Sequence, residues 1–169
     1  MNAPVILRSS EEIAQRVDAI AQQISRDYAG RSLDVVYMVN GASMLCADLT
    51  RRLDVPAQLH PLGFSSYPAA SPSGEVRLTL DVAKPLHGRH VLLVEGIIVS
   101  GRTPRYVSDL LRLRQPASLS LCALGIKPRA LAVELPVAYP LFEFGDEIVV
   151  GYGVGDEADK ALPYLARRK

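Results

Sequence analysis

Hydrophobic positions along this chain switch between two periods. Between Ser9 and Gly30, Ile13, Val17, Ile20, Ala21, Ile24 and Tyr28 recur at spacings of 4, 3, 1, 3 and 4 residues, which is one face of a helix with 3.6 residues per turn. Ser9 followed by Glu12 predicts a capping box at its start, and Gly30 predicts its stop. Leu33–Val39 has no helical period and carries Val35, Val36, Tyr37 and Val39, so it predicts a strand that ends at Asn40-Gly41. Helical spacing returns over Ala42–Leu53, with Met44, Leu45, Leu49 and Leu53 on one side. Ala57–Ser65 predicts a strand. Ser66–Glu75, with three Ser, two Ala, two Pro, a Gly and a Tyr, predicts a mobile excursion. Val76–Val82 alternates and predicts the returning strand.

His90–Glu95 is a nearly continuous apolar run, as expected of a strand buried on both faces. Gly96–Thr103 reads as a turn. Thr103 is placed to cap the next helix, Pro104 to occupy its first position, and Val107, Leu110, Leu111 and Arg114 to continue it. Ser118–Ile126 predicts a second buried strand; Val137–Phe144 and Glu147–Tyr152 predict shorter ones. Strands alternating with helices imply an α/β fold: a mostly parallel twisted sheet flanked by helices. No repeat or linker divides the sequence, so one domain over residues 1–169 is expected. In such sheets ligands bind beyond the carboxyl ends of the strands. That rule singles out Asn40-Gly41, Gly96–Thr103 and the segment after Ile126.

Composition changes this picture by exclusion. With 169 residues, 49% of them apolar, the chain is long enough to bury about 70% of its unfolded surface without disulfides. A net charge of +1 excludes a strongly basic nucleic-acid module and an acidic tail. No apolar run reaches the roughly 18 residues of a membrane span, and Met1–Arg8 lacks the pattern of a signal peptide; a cytoplasmic protein is expected. Cys46 and Cys122 match no metal or redox spacing and read as buried thiols. His60, His87 and His90 lack ligand spacing, and His87 and His90 read as solvated loop residues.

Candidate chemistry concentrates in Val91–Thr103. A buried strand runs into Ser100-Gly101-Arg102-Thr103 and then a helix. The N–H groups of such a turn and of the first helical residues converge, with the helix dipole behind them. Gly101 permits close approach, and the hydroxyls of Ser100 and Thr103 add donors, giving an anion nest suited to a phosphate monoester. Arg102 and Arg105 add positive charge nearby.

This segment resembles the phosphoribosyl diphosphate loop of type I phosphoribosyltransferases, in the hypoxanthine-guanine branch. Further segments follow in the family's order: Gln23-Ile-Ser-Arg-Asp-Tyr-Ala-Gly30, Val39-Asn-Gly-Ala42 with Ala47-Asp-Leu49, and Ser65-Ser-Tyr67. Ile126-Lys-Pro128, Val149-Val-Gly-Tyr-Gly153 and Leu162-Pro-Tyr164 complete the set. The resemblance implies that fold, with a small hood and a mobile lid loop. It implies that Gly96–Thr103 (Gly96, Val99, Ser100, Gly101, Arg102 and Thr103 among them) holds a 5′-phosphate and Glu95 a ribose hydroxyl. Asn40, Gly41 and Lys160 would face pyrophosphate. Lys127 would donate to a purine 6-oxo oxygen, with Ile148 and Val149 completing the purine site, and Ser66 and Tyr67 would close over it. The implied reaction joins hypoxanthine or guanine to phosphoribosyl diphosphate with Mg²⁺, giving IMP or GMP and pyrophosphate. A homodimer or homotetramer is the implied assembly.

Departures from the family cluster at the chemistry. The resemblance implies two successive acids where this chain has Glu95-Gly96, and an aspartate acting on the purine N7 proton where it has Val99. Losing a general base costs typically about 10²–10⁴ in rate. Asn40 stands for a lysine, Ile148 for a stacking aromatic, and Val154-Gly155-Asp156 for Leu-Asp-Tyr, leaving Glu95 and a shifted Asp156 as metal-side carboxylates. Lys160 aligns with the family's arginine after a one-residue gap. Two functions are therefore expected to compete: a purine phosphoribosyltransferase with weakened chemistry, in which Glu95 and Lys127 carry the catalytic roles, and a regulator that binds a purine nucleotide or phosphoribosyl diphosphate without turnover.

Overall fold

In the computed structural model, residues 4–66 and 76–168 are described. Strand β1 (Val5–Arg8) leads into helix α1 (Ser10–Asp27). The capping box is formed: Ser9 Oγ accepts the Glu12 N–H at 3.2 Å, and the Glu12 carboxylate accepts the Ser9 N–H at 2.7 Å. Ile13, Val17, Ile20, Ala21 and Ile24 form the buried face that the spacing predicted. Strand β2 (Leu33–Met38), helix α2 (Ser43–Thr50), β3 (Ala57–Ser66), β4 (Val76–Leu80), β5 (His90–Ile98), helix α3 (Arg102–Arg112), β6 (Ser118–Ile126) and β7 (Tyr139–Glu143) follow. They build a six-stranded sheet of order β4-β3-β2-β5-β6-β7. It is parallel from β3 through β7, and β4 runs antiparallel at the edge.

Residues Val91–Val94 alternate between the two faces of the sheet and all four are buried, so both faces are covered at its centre. Helix α2 packs on β2 and β5, α3 on β5 and β6, and α1 on α2 and β7. Strands β8 (Val149–Val150) and β9 (Leu165–Arg167) join β1 in a separate antiparallel sheet of order β1-β9-β8. Their few residues are too short for periodicity to reveal, so β1 and β9 were not expected; each is defined by its partner.

Several boundaries differ from the sequence reading, each for a visible reason. Strand β5 does not stop at Glu95, because Ile97 and Ile98 still pair with Gly125 and Ile126 of β6; the turn shrinks to Val99–Gly101. Thr103 does not cap α3 and Pro104 is not its first residue. Gly101, at φ 75°, makes the entry with no side-chain cap, and the helix begins at Arg102. Helix α2 ends at Thr50, short of Leu53, with Thr50 Oγ1 donating to the Cys46 carbonyl at 2.7 Å. Met44 points outward, 46% exposed. Strand β4 ends at Leu80, and the Val82 N–H turns onto the Asp81 carboxylate at 2.6 Å. The excursion expected over Ser66–Glu75 begins at the last residue of β3; Tyr67 and the rest of it lie outside the described residues.

Cys46 and Cys122 are buried free thiols. His90 is not a loop residue: it starts β5, with Nδ1 2.8 Å from Ser118 Oγ. His60 is buried beside Asp34, which also pairs with Arg89, at 2.8 and 2.7 Å. This trio ties β2, β3 and the entry to β5 together at the end of the sheet opposite the turns at residues 39–42 and 99–101.

Candidate active site

The carboxyl ends of β2, β3 and β5 open onto a cavity of about 320 Å³, where the strand-end rule places a ligand. Met38, Val39 and Gly41 supply one wall and Phe64 of β3 another. Glu95, Ile97 and Ile98 come from β5, and Val99, Ser100, Gly101, Thr103 and Pro104 close the cavity from the turn and from α3. Phe64 was missed in the sequence because nothing local marks it. Its ring is held edge-on by Tyr106 of α3, with centroids 6.1 Å apart. Counting back from the predicted end of each strand would have found both Phe64 and Met38.

The turn between β5 and α3 is built to receive an anion. Its first intrahelical bond is Arg105 N–H to the Gly101 carbonyl, at 3.0 Å, so the N–H groups of Gly101, Arg102 and Thr103 precede the helical ladder. The Arg102 N–H reaches Ser100 Oγ at 3.4 Å; those of Gly101 and Thr103 remain for a ligand. Pro104, at the third helical position, has no N–H to offer and is buried beneath the turn. Gly101 is pressed on by Leu131, Val133 and Leu135, which a Cβ there would meet at 3.1–3.3 Å. Arg105 turns away to Asp109 and to the Glu134 carbonyl, both at 3.0 Å; Arg102 is exposed.

Glu95 is half-buried and accepts the Gly96 N–H at 2.9 Å. Desolvation pushes its carboxyl up to about 7, against the lowering effect of that hydrogen bond. Gly96 is buried against the backbone of Gly41. Val99 is 48% exposed on the cavity rim and offers neither a donor nor an acceptor. Asn40 is exposed on the turn beside Gly41, and the Val39–Asn40 peptide bond is cis.

Lys127, Ile148 and Val149 are not on the wall of this cavity. The Lys127 ammonium donates to the Glu147 carbonyl at 2.6 Å, which ties the end of β6 to the approach to β8. An ammonium carries three protons, so two remain for a ligand. Ile148 is 72% exposed and Val149 is buried. Lys160 lines a different cavity, of about 350 Å³, with Met44, Asp48 and Tyr152. Asp156 is exposed on the loop after β8, and Ser66 ends β3.

Among the described residues, no all-protein Mg²⁺ cage is built. Among the described residues, no three His, Cys, Asp or Glu side chains converge to hold a metal. Glu95 is the one carboxylate on the described wall of the cavity, and one of its oxygens already accepts an N–H. Mg²⁺ commonly takes one or two carboxylates together with substrate phosphates, and Glu95 is the described wall residue that would hold it beside such phosphates. Among the described residues, no helix is long and apolar enough to cross a membrane.

Comparison with known proteins agrees with this architecture. Residues 6–157 match the phosphoribosyl transferase domain family. The hypoxanthine phosphoribosyltransferase of Haemophilus influenzae is 38% identical over 153 residues, covering 88% of this chain and 86% of that protein. The hypoxanthine-guanine phosphoribosyltransferase of Mycobacterium bovis is 36% identical over 168 residues, covering 95% and 83%. The crystal structure of a hypoxanthine-guanine phosphoribosyltransferase from Bacillus anthracis superimposes with a TM-score of 0.92 at 31% identity, over 100% of this chain and 99% of that one.

Proposed function

The chain belongs to the phosphoribosyl transferase family, and on that premise we propose that it is a purine-salvage enzyme. It joins hypoxanthine or guanine to phosphoribosyl diphosphate and releases IMP or GMP with pyrophosphate. The observation that carries this reading is the cavity at the ends of β2, β3 and β5, closed by the N–H groups and hydroxyls of Ser100–Thr103. These groups receive the 5′-phosphate. Glu95 hydrogen-bonds a ribose hydroxyl. The Gly41 N–H faces the diphosphate, and Lys127 donates to the 6-oxo oxygen while Val149 reads the base with its backbone. Ile148 covers a ring face.

The purine N9 displaces pyrophosphate from the ribose carbon, and the proton on N7 must leave. Val99 cannot accept it, so it passes to solvent. The missing base slows this step by about 10²–10⁴, while the holding of both reactants in one cavity is retained. No step is assigned to Asp156 or Lys160, which lie away from the cavity wall.

The test is direct. The protein is incubated with phosphoribosyl diphosphate, magnesium chloride and hypoxanthine or guanine, and nucleotide formation is followed. Slow turnover that falls to background in Lys127→Ala is the expected result. GMP binding by calorimetry with no nucleotide formed would replace this reading with that of a binding regulator.

A further inference from the structure

We propose that Arg105 is a positioning residue: by clamping the Glu134 carbonyl it holds the chain that leaves β6 down on Gly101, so that one strap of residues sets the spacing between the anion turn and the Lys127 ammonium. The assignment of those two ends to a ligand rests on the function proposed above; the clamp does not. The strap, residues 127–135, leaves β6 through one turn of 3-10 helix, Pro128–Ala130, and lies across the turn between β5 and α3. Its first residue, Lys127, gives its N–H to the Ile98 carbonyl at 2.9 Å, and Ala132 gives its own to the Ser100 carbonyl at 3.0 Å. Leu131, Val133 and Leu135 press on Gly101.

Arg105 fastens the far end of the strap. Its Nη1 donates to the Glu134 carbonyl at 3.0 Å, and its Nε to Asp109 Oδ2, also at 3.0 Å. Asp109 accepts from Arg112 as well, at 3.0 Å, so the carboxylate that orients the Arg105 fork is itself braced. The Arg105 N–H meanwhile makes the first bond of α3, to the Gly101 carbonyl. One residue therefore grips Gly101 by its main chain and, by its side chain, the segment packed over Gly101. Side chains do not fill the space behind that segment: Glu134, Leu135 and Pro136 line, with Arg105, a cavity of about 460 Å³. There the hydrogen bond supplies what contact between apolar groups does not.

With the clamp gone, the anion turn keeps its N–H groups and Lys127 its ammonium, but their separation is no longer held. A ligand that carries a phosphate and a base at fixed spacing should lose affinity, and a ligand that uses one end alone should not. Amide-signal titrations of the ¹⁵N-labelled protein, which reach weak binding, compare GMP with ribose 5-phosphate and with guanosine. Arg105→Met keeps the stem and removes the donors. It is expected to weaken GMP about fivefold, within what one hydrogen bond contributes, and each one-ended ligand less than about twofold. Arg105→Lys retains a donor and should fall between the unaltered protein and Arg105→Met. Equal losses for all three ligands, no loss for GMP, or a lysine variant as weak as the methionine one overturns the proposal.

Hydrogen exchange reads the clamp without any ligand. In Arg105→Met the Ala132 N–H should exchange about fivefold faster, while amides of β2 and of the centre of β5 keep their rates. Unchanged exchange at Ala132 overturns the proposal, and so does equal loss of protection across the whole sheet, which marks general destabilisation. Should Arg105→Met fail to fold, Arg105→Lys carries the same comparison. If the unaltered protein binds neither GMP nor either of its parts, the purine reading fails and the exchange result alone decides the clamp.

Discussion

The two ends of the cavity are made from the same strand and solve opposite problems. Beyond its last residue, β5 enters a turn whose donors are backbone N–H groups and hydroxyls at the start of α3. Two residues before the end of β5, Gly96 and the facing Gly41 provide a contact between two backbones, with Asn40 adding no charge. On the proposed function, the first end would take an anion through groups that any chain with this turn would possess. The second end, in the family that the sequence resembles, carries a lysine where this chain has the uncharged Asn40. Holding a phosphate and accelerating a bond change would then be carried by separable sets of residues, of which this chain keeps the first and thins the second.

Breaking the phosphate end should have the largest effect. Gly101→Ala places a Cβ on a residue at φ 75° and drives it into Leu131, Val133 and Leu135. The turn must shift, and misplacement of this kind costs on the order of 10²-fold. Affinity for GMP and for phosphoribosyl diphosphate should fall together, as read by calorimetry.

Restoring chemistry at the rim sharpens the comparison from the other side. Val99 is half exposed, so Val99→Asp has room and should raise turnover by at least about tenfold. The paired change Gly96→Asp with Val99→Asp, which restores both acids that the resemblance implies, should also raise turnover by at least about tenfold. An unchanged rate in a transferase assay would show that the active site lies elsewhere.

The smallest effect concerns Glu95, which belongs to neither end. Its carboxyl is held up to about 7 in the folded protein, against an ordinary value near 4.5. Between these values the folded chain keeps a proton that the unfolded chain has released, so stability falls as pH rises from about 4.5 to about 7 and levels off above. Glu95→Gln should abolish this slope. Its melting temperature should exceed that of the unaltered protein at pH 8, by about 2–4 °C for each kcal/mol of this linkage in a chain of this size, and match it near pH 4.5.

The elements that could be read in advance share one property: their information is local. The face of α1, the capping box at Ser9, and the runs in β2, β5 and β6 are all encoded within a few turns or a few residues. The family resemblance added the order of the segments, and Glu95, Val99, Ser100, Gly101 and Thr103 line one cavity. What escaped was set by partners elsewhere. β1 and β9 exist because each gives the other its hydrogen bonds. β5 continues past Glu95 because β6 does. Lys160 reaches a neighbouring cavity, lined by Met44, Asp48 and Tyr152, and only the path of the chain after β8 could show that.

By itself the sequence determined the alternation of strand and helix, the fully buried strand at the centre and the phosphate-type turn that follows it. Apolar spacing and turn residues act over short stretches of chain, so these features are written locally. That Gly96 and Gly153 both face the Gly41 carbonyl was decided only in three dimensions. The three are distant in the chain, and they approach because parallel pairing sets β2 beside β5 while the chain after β8 returns to the turn after β2. A glycine's missing side chain acquires meaning only from the atom that fills its place.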